Sequence, residues 1–347
     1  MARVTAYAAP SATEPLGPIM IERRDLRPND VLIDIRFCGV CHSDVSHARS
    51  EWRAETYPLV PGHEITGIVS AVGVDVTRHE VGDRVAVGCF VGACGECANC
   101  VAREEQYCLP GITLTYGSTD RYGEYTQGGY SKQIVVDQDY VLKVPDALAL
   151  DVAAPLLCAG ITTFWPLRHY QVGPGSKVAI IGLGGLGHVA VKLAAAMGAE
   201  VTVLSQTRAK EVDAKRLGAT AYYATSESDT FSRLANTFDL ILNTVSAAVD
   251  VDGMLSTLAL GGTLVNIGAP ATPMSLSAWS LLRNRRSYAG SLIGAIRDHQ
   301  AMLEFCGEHG IGADIELITI NRVNEAFDRL LASDVRYRFV IDMTSLA

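Results

Sequence analysis

The run KVAII at 177–181 leads directly into GLGGLG and then into a helix-forming stretch of small residues, and this order constrains the chain more than any other stretch. Gly182, Gly184 and Gly187 fill the G-x-G-x-x-G pattern, with Gly185 and Leu186 before the last of them. The first glycine permits a tight turn, the second lets a backbone approach a pyrophosphate, and the third allows close helix packing; the helix N-terminus then favours an anion. The alternative is a tight turn with no ligand. The same texture continues downstream: VTVLS (201–205), a helix over 208–219, FDLILNTV (238–245), GGTLVNIG (261–268) and SYAGSL (287–292), with helical stretches between. Strands alternating with helices predict a parallel, doubly wound α/β sheet.

Residues 1–150 read differently. VLIDIRFCG (31–39), GIVSAVG (67–73), DRVAVGCF (83–90) and YSKQIVV (130–136) are short β segments broken by Gly and Pro, which predicts a mainly antiparallel, barrel-like region. An amphipathic helix at 297–309 and a strand at 337–343 close the chain. A length of 347 residues suits two domains, and 48% hydrophobic with 19% charged residues marks a globular protein. The net charge of −9 argues against a nucleic-acid partner. MARVTAYAAPSATEPLG has no apolar run of signal-peptide type, and no apolar segment is long enough to span a bilayer, so a cytoplasmic location without membrane association is expected.

In that compartment clustered cysteines point to metal or catalysis before disulfides. Cys94-x2-Cys97-x2-Cys100-x7-Cys108 places four of the nine cysteines in one loop. Four thiolates surround one Zn²⁺ tetrahedrally and leave no position for a substrate, which makes this a structural site. Reduced core cysteines and iron–sulfur ligation are the lesser alternatives. Three further residues, Cys41 in GVCHSD, His63 in PGHE and Cys158 in PLLCAGITT, fit the open thiolate–imidazole set of a catalytic zinc, although each alone also reads as a core residue. Cys38 and Cys306 read as core.

The strand after the glycine turn bears on the nucleotide. NAD enzymes place an acid roughly 20 residues on, against the ribose 2′-OH. Here Ser205, Gln206, Thr207 and Arg208 follow, with Lys210 close by and no acid before Glu211. Hydroxyls and cations suit a 2′-phosphate, so NADP(H) is expected over NAD(H). Alternatively, Arg208 and Lys210 form the solvated face of the next helix.

In order along the chain, GVCHSD, YPLVPGHE, VGDRVAVG, the cysteine loop, TQGGYS, APLLCAGITT, GLGGLGH and VRYRFVIDM together resemble the zinc-dependent medium-chain dehydrogenase/reductase superfamily, nearest its cinnamyl-alcohol-dehydrogenase-like branch and the bacterial NADPH-dependent aldehyde reductases. The resemblance implies a GroES-like catalytic domain, residues 1–151 and 290–347, around a Rossmann domain at 152–289. It implies two zinc ions per chain: a catalytic one on Cys41, His63 and Cys158, with Glu64 as an occasional ligand, and a structural one on Cys94, Cys97, Cys100 and Cys108. It gives Asp44 the role of orienting His63, His42 a place near the pyrophosphate, and Ser43 the inner position of a proton relay. By the same alignment Trp52, Cys89, Leu114, Leu292 and Ile293 line an apolar cleft suited to aromatic or medium aliphatic aldehydes. It also implies a homodimer joined through the strand at 287–292.

Two departures qualify the resemblance. Relatives keep the outer relay histidine five residues after the first zinc cysteine; here that residue is Ser46, and His47 is next to it. The relay then runs through water, the favoured reading because a one-residue shift turns a side chain away, or through His47 itself. Plant members place Trp where Leu114 stands, so lignin-alcohol specificity is not carried over. The implied activity is an NADP(H)-linked alcohol dehydrogenase working as an aldehyde reductase. A polyol or glutathione-adduct dehydrogenase would show an acid near Ser205 or a polar pocket. A non-catalytic homologue would lack a ligand, and a zinc-ribbon nucleic-acid binder would have a basic cysteine loop, whereas GECANCVAREEQYC is slightly acidic.

Overall fold

The computed structural model describes residues 2–270 and 272–346, which divide into two compact units, one of 1–161 with 294–347 and one of 162–293. The sequence places the divisions at 151/152 and 289/290.

The discontinuous unit is built on a seven-stranded sheet. Its strands run in the order Ile315–Thr319, Arg338–Asp342, Asp30–Val40, Ile65–Val72, Arg84–Val87 and Leu142–Lys143, with Gln133–Asp137 also pairing Asp30–Val40. Every pairing is antiparallel except that of the first two strands. The central strand shows why it forms: Val31, Ile33 and Ile35 are buried, while Leu32 and Asp34 are half-buried and Arg36 is exposed, the period of a sheet with one face on a core. Register shifts at Leu32/Ile33 and Ile35/Phe37 bend it, the local device by which a sheet curls. The core includes Val31, Ile33, Ile65, Val85, Tyr130, Phe339 and Ile341. The hairpin Ala2–Ala8/Gly17–Arg23, the strand Ile315–Thr319 and the helix Val323–Leu331 were not anticipated, although the helix is strongly amphipathic.

The second unit carries a six-stranded, fully parallel sheet in the order Ala221–Ala224, Glu200–Ser205, Lys177–Ile181, Phe238–Asn243, Leu258–Asn266, Ser287–Gly290. This is the doubly wound order in which the chain reverses direction beside the first strand, where nucleotides bind. The outermost strand, Ala221–Ala224, escaped the sequence reading because four residues carry little periodicity. At the opposite edge lies Ser287–Gly290. Among the described residues no single helix is long and apolar enough to cross a membrane.

Candidate active site

Strand pairing in the first unit brings the ends of distant segments together. Asp30–Val40 ends one residue before Cys41, and Ile65–Val72 starts one residue after Glu64; Cys38 pairs with Ile65. Arg338 opens the strand on the other side, where Phe339 pairs with Val40. A 3₁₀ turn, Ala154–Leu157, delivers Cys158. Ligand atoms of Cys41, His63, Glu64 and Cys158 consequently all lie within 4.8 Å of one another.

Each ligand is held from behind. Cys41 caps the helix His42–Ala48, and Asp44 at its third position accepts the Cys41 backbone N–H at 2.9 Å, one half of a capping box. The other Asp44 oxygen accepts from Gly62 N and from His63 Nδ1, both at 3.0 Å. Tyr130 donates its hydroxyl to Asp44 as well, at 3.3 Å. Because a carboxylate only accepts, Nδ1 of His63 carries the proton and Nε2 is left as the ligand atom. The turn before His63 requires glycine: Gly62 has φ +104°, and a Cβ there would meet the Tyr130 ring at 2.7 Å.

Glu64 is fully buried and ion-paired with Arg338, itself buried. Burial pushes the Glu64 carboxyl up to about 8 despite that cation. Gly39 makes room for it, since a Cβ at that position would lie 1.9 Å from Glu64 Oε2. Arg338 thus holds one Glu64 oxygen, while the carboxylate stays among the other three ligand groups. The Cys41 thiol is held well below its ordinary value by its hydrogen bond with Cys158, and the Cys158 thiol well above by the same contact. Burial works against a charged His63, but Asp44 outweighs it and raises the imidazole. These are protons that a bound cation displaces.

The donor set fits zinc. Tetrahedral Zn–S bonds of about 2.3 Å place two sulfurs about 3.8 Å apart. The Cys41–Cys158 separation is 3.9 Å, and Cys94–Cys100 is 3.8 Å. Cys94, Cys97, Cys100 and Cys108 form the second such cluster, again within 4.8 Å. Backbone N–H groups point at these sulfurs: Cys94 N at Cys108 and Cys97 N at Cys94, both 3.3 Å, and Leu109 N at Cys97, 3.5 Å. The donors from Leu109 and Cys100 bring the Cys97 thiol down to about 6. The first set offers two thiolates and an imidazole with the Arg338-paired Glu64 beside them; the second is four cysteines.

Around the first cluster, Ser43 Oγ lies 3.7 Å from Cys41 Sγ, and His42 is exposed at the helix start. The Tyr116 ring is 5.8 Å from that of His63, and His47 stands edge-on to Tyr116 at 5.4 Å and to Trp52 at 5.3 Å. Cys89 is half-buried with its sulfur 3.7 Å from Leu157 O, and Leu114 pairs with Phe90 in a short ladder. Ser46 is buried, donating its hydroxyl to Glu51 at 2.8 Å. Leu292, exposed, and Ile293, buried, belong to the other unit.

Sequence reasoning missed Arg338, Tyr116, Tyr130 and Glu55. Only Arg338 left a signal, a cation at the head of the apolar strand RFVID.

In the second unit the glycine turn is built for a dinucleotide. Gly182 has φ +87°. A Cβ on Gly187 would sit 2.0 Å from Gly182 O, while a Cβ on Gly184 would meet nothing within 4 Å, an open cradle beside the start of the helix Gly187–Ala196. Ser205 ends the adjacent strand, and Thr207 caps the turn that follows it. Lys210 Nζ donates to Leu183 O at 2.8 Å, next to the glycine turn. Arg208 is held by Glu227 and Glu211.

A parallel sheet with a pyrophosphate turn, on one chain with an open thiolate–imidazole set and a closed four-cysteine set, defines a zinc- and nucleotide-dependent dehydrogenase. Comparison with known proteins agrees. Residues 27–146 match the alcohol dehydrogenase GroES-like domain and residues 185–308 the zinc-binding dehydrogenase family. NADP-dependent alcohol dehydrogenase C 1 of Mycolicibacterium smegmatis is 59% identical over 347 residues, 100% of this chain and 99% of its own. Aldehyde reductase YahK of Escherichia coli is 49% identical over 99% of both. Among solved structures, a cinnamyl alcohol dehydrogenase from Sorghum bicolor superposes with TM-score 0.96 at 42% identity, covering 100% of this chain and 99% of that one. The enzyme of this type from Helicobacter pylori, complexed with NADP(H), superposes with TM-score 0.93 at 38% identity and 99% coverage of both. The chain belongs to the zinc-dependent medium-chain dehydrogenase/reductase superfamily, in its cinnamyl-alcohol-dehydrogenase-like branch.

Proposed function

We propose that the protein is an NADP(H)-linked zinc alcohol dehydrogenase that works as a reductase of aromatic and medium aliphatic aldehydes, and oxidises the corresponding primary alcohols. The observation that carries this reading is the set Cys41, His63 and Cys158, with Glu64 drawn to Arg338 and aromatic rings beside it. Zinc held there supplies Lewis-acid polarisation of a carbonyl oxygen, and NADPH supplies the hydride. The protein's own groups do the rest. Asp44 fixes the His63 tautomer. Arg338 holds one oxygen of Glu64. Ser43, beside Cys41, gives a proton to the substrate oxygen in reduction and receives it in oxidation. Trp52, Cys89 and Leu114 form apolar lining within the discontinuous unit, which is the catalytic domain. His42, Gly182, Gly184, Gly185, Leu186 and Gly187 take the pyrophosphate; Ser205, Thr207, Arg208 and Lys210 take the 2′-phosphate.

The test is a panel of benzaldehyde, cinnamaldehyde, hexanal, fructose and sorbitol, followed by nicotinamide absorbance with each cofactor. Fast turnover of the three aldehydes with NADPH supports the reading. Faster turnover of the sugar or polyol, or preference for NADH, defeats it.

The protein is also expected to be a cytoplasmic homodimer. Ser287–Gly290 leaves one side of the parallel sheet unpaired, and exposed Leu260, Trp279 and Leu282 lie on segments adjoining it in sequence or in the sheet. Light scattering at micromolar concentration should give twice the 37.1 kDa chain mass, and a monomer mass counts against the pairing.

A further inference from the structure

Arg23 ends the hairpin strand Gly17–Arg23, and it is buried. Its hydrogen bonds reach into one short stretch of the chain. Nη1 donates to Gln127 O at 2.7 Å, Nη2 to Gly128 O at 2.8 Å and to Ser131 Oγ at 2.7 Å, and Nε to Gln133 O at 2.9 Å. None of these partners is a carboxylate. A guanidinium is tolerated away from water only when its donors are satisfied, and here their satisfaction fixes the chain from 127 to 133 in one geometry.

That stretch is laid against the segment that leads into His63. Gln127 Oε1 accepts from Val60 N at 2.7 Å, and Gln127 Nε2 donates to Pro58 O at 3.2 Å. Gly128 N donates to Val60 O at 2.8 Å, Gly129 N to Gly62 O at 2.8 Å and Tyr130 N to Pro61 O at 3.0 Å. The contact has no slack: a Cβ on Gly128 would lie 2.3 Å from Pro61 O, and one on Gly129 would lie 2.4 Å from Ile65 Cγ1. The N-terminal segment grips both sides of it, because Tyr7 N donates to Tyr130 O at 2.8 Å while Ala9 and Leu59 exchange backbone bonds at 2.8 and 3.0 Å. His63 follows Gly62 directly, and its partner Asp44 takes the Tyr130 hydroxyl. Two routes therefore join Arg23 to the imidazole, one along the backbone through Gly62 and one through Tyr130 and Asp44.

We propose that Arg23 is a positioning residue for the metal ligand His63: its fork sets how the loop Gln127–Tyr130 sits against Pro58–Gly62, and so where the imidazole stands relative to Cys41 and Cys158. The proposal rests on the reading of Cys41, His63 and Cys158 as a zinc set. A clamp that only stabilised the domain would lower the melting temperature and leave the two ligand clusters alike. A positioning clamp acts on one cluster, because the four-cysteine loop takes its ligands from Cys94 to Cys108 and makes no use of the 127–133 stretch. Lysine cannot replace the arginine, since one ammonium nitrogen does not span the carbonyls of Gln127, Gly128 and Gln133 that the planar fork reaches together.

The test uses the full-length protein as wild type, Arg23→Lys, Arg23→Met, Ser131→Ala and Cys158→Ala, with melting temperature as the control on folding. Zinc retention against graded EDTA, followed by elemental analysis, gives the affinity of each ion. Arg23→Lys should loosen one of the two zinc ions by about tenfold, the scale on which supports behind a ligand act, and leave the other as in wild type; Arg23→Met should do the same more strongly. Ser131→Ala removes one acceptor of the fork and should shift the same ion in the same direction by less, which decides the matter if Arg23→Met does not fold. ¹¹³Cd NMR of the cadmium-loaded protein reads the sites without turnover. The signal lost in Cys158→Ala should move in both Arg23 variants, and the four-cysteine signal should stay in place. A lowered melting temperature with both ions loosened equally, or with neither loosened, overturns the proposal, as does an unmoved Cys158-dependent signal. Two zinc ions retained in Cys158→Ala would instead overturn the ligand reading.

Discussion

Glu227 grips Arg208 with both carboxylate oxygens, at 2.7 Å to Nε and 3.2 Å to Nη2, while Glu211 takes Nη1 at 3.0 Å. A 2′-phosphate has to displace these partners to reach the guanidinium. Exposed ion pairs are weak and exchange readily, so displacement is feasible but offsets part of the gain. Arg208→Ala should therefore raise the NADPH Kd by about fivefold, against the tenfold or more of an uncompensated contact, and leave NADH unchanged. Glu227→Gln should move NADPH the other way by a few-fold. Fluorescence titration with both cofactors checks the pair; equal effects on NADPH and NADH would show that Arg208 does not read the phosphate.

The glycine turn separates two kinds of failure. Gly187→Ala places a methyl 2.0 Å from Gly182 O and should cost roughly 1–3 kcal/mol of stability through overpacking. Gly184→Ala meets nothing within 4 Å and should melt like wild type, yet bind NADPH at least about tenfold more weakly, because its methyl enters the pyrophosphate cradle. Thermal melts without cofactor, followed by titration, distinguish the two.

Two ligand sets imply two zinc ions per chain by elemental analysis. Cys158→Ala should leave one zinc, abolish turnover and keep the fold. Cys100→Ala removes a ligand of the closed site, whose binding energy is folding energy, and should lower Tm by more than roughly 5 °C or render the protein insoluble. A single zinc in active wild type would contradict both assignments.

His299, which belongs to neither zinc ligand set, supplies a pH signature. It is 1% exposed, donates Nδ1–H to Ala295 O at 2.9 Å, and burial pushes its imidazole down to about 4. The unfolded chain, at about 6.5, binds that proton first, so the stability this residue contributes is complete above 6.5 and is lost as pH falls towards 4. Between pH 7 and 4.5 wild type should lose about 2–3 kcal/mol more than His299→Gln, measured by urea unfolding of both at each pH. Equal losses would mean that the ring already shares the unfolded value.

The local features were legible from residue order. A metal loop that takes all its ligands from fifteen residues, Cys94 to Cys108, announces itself by spacing, and a glycine turn between KVAII and its helix does so by context. Residues that act across the chain were legible only through the family resemblance, as with Cys41, His63 and Cys158, or not at all. The four-residue strand Ala221–Ala224 lacked the length for a periodic signal, and the register shifts of Asp30–Val40 leave no mark in composition. His47 shows the limit best: along the chain it is a histidine displaced by one position, and only the fold seats it on Glu55 and edge-on to Tyr116.

Sequence by itself determined the two-domain plan, the closed cysteine site and the dinucleotide turn, because each depends on neighbours in the chain, where backbone geometry alone brings the groups together. Tertiary structure alone decided that Arg338 pairs with Glu64 across 274 positions and that Arg53 spans 64 to brace Glu55 from Gly117, and it brought Cys158 to Cys41 across the 117 positions that only the resemblance had joined. The physical reason is strand register: these contacts exist only once Arg338–Asp342 and Ile65–Val72 have docked on either side of Asp30–Val40, and that docking is chosen by burial of the whole sheet face, to which no single residue in the cluster testifies.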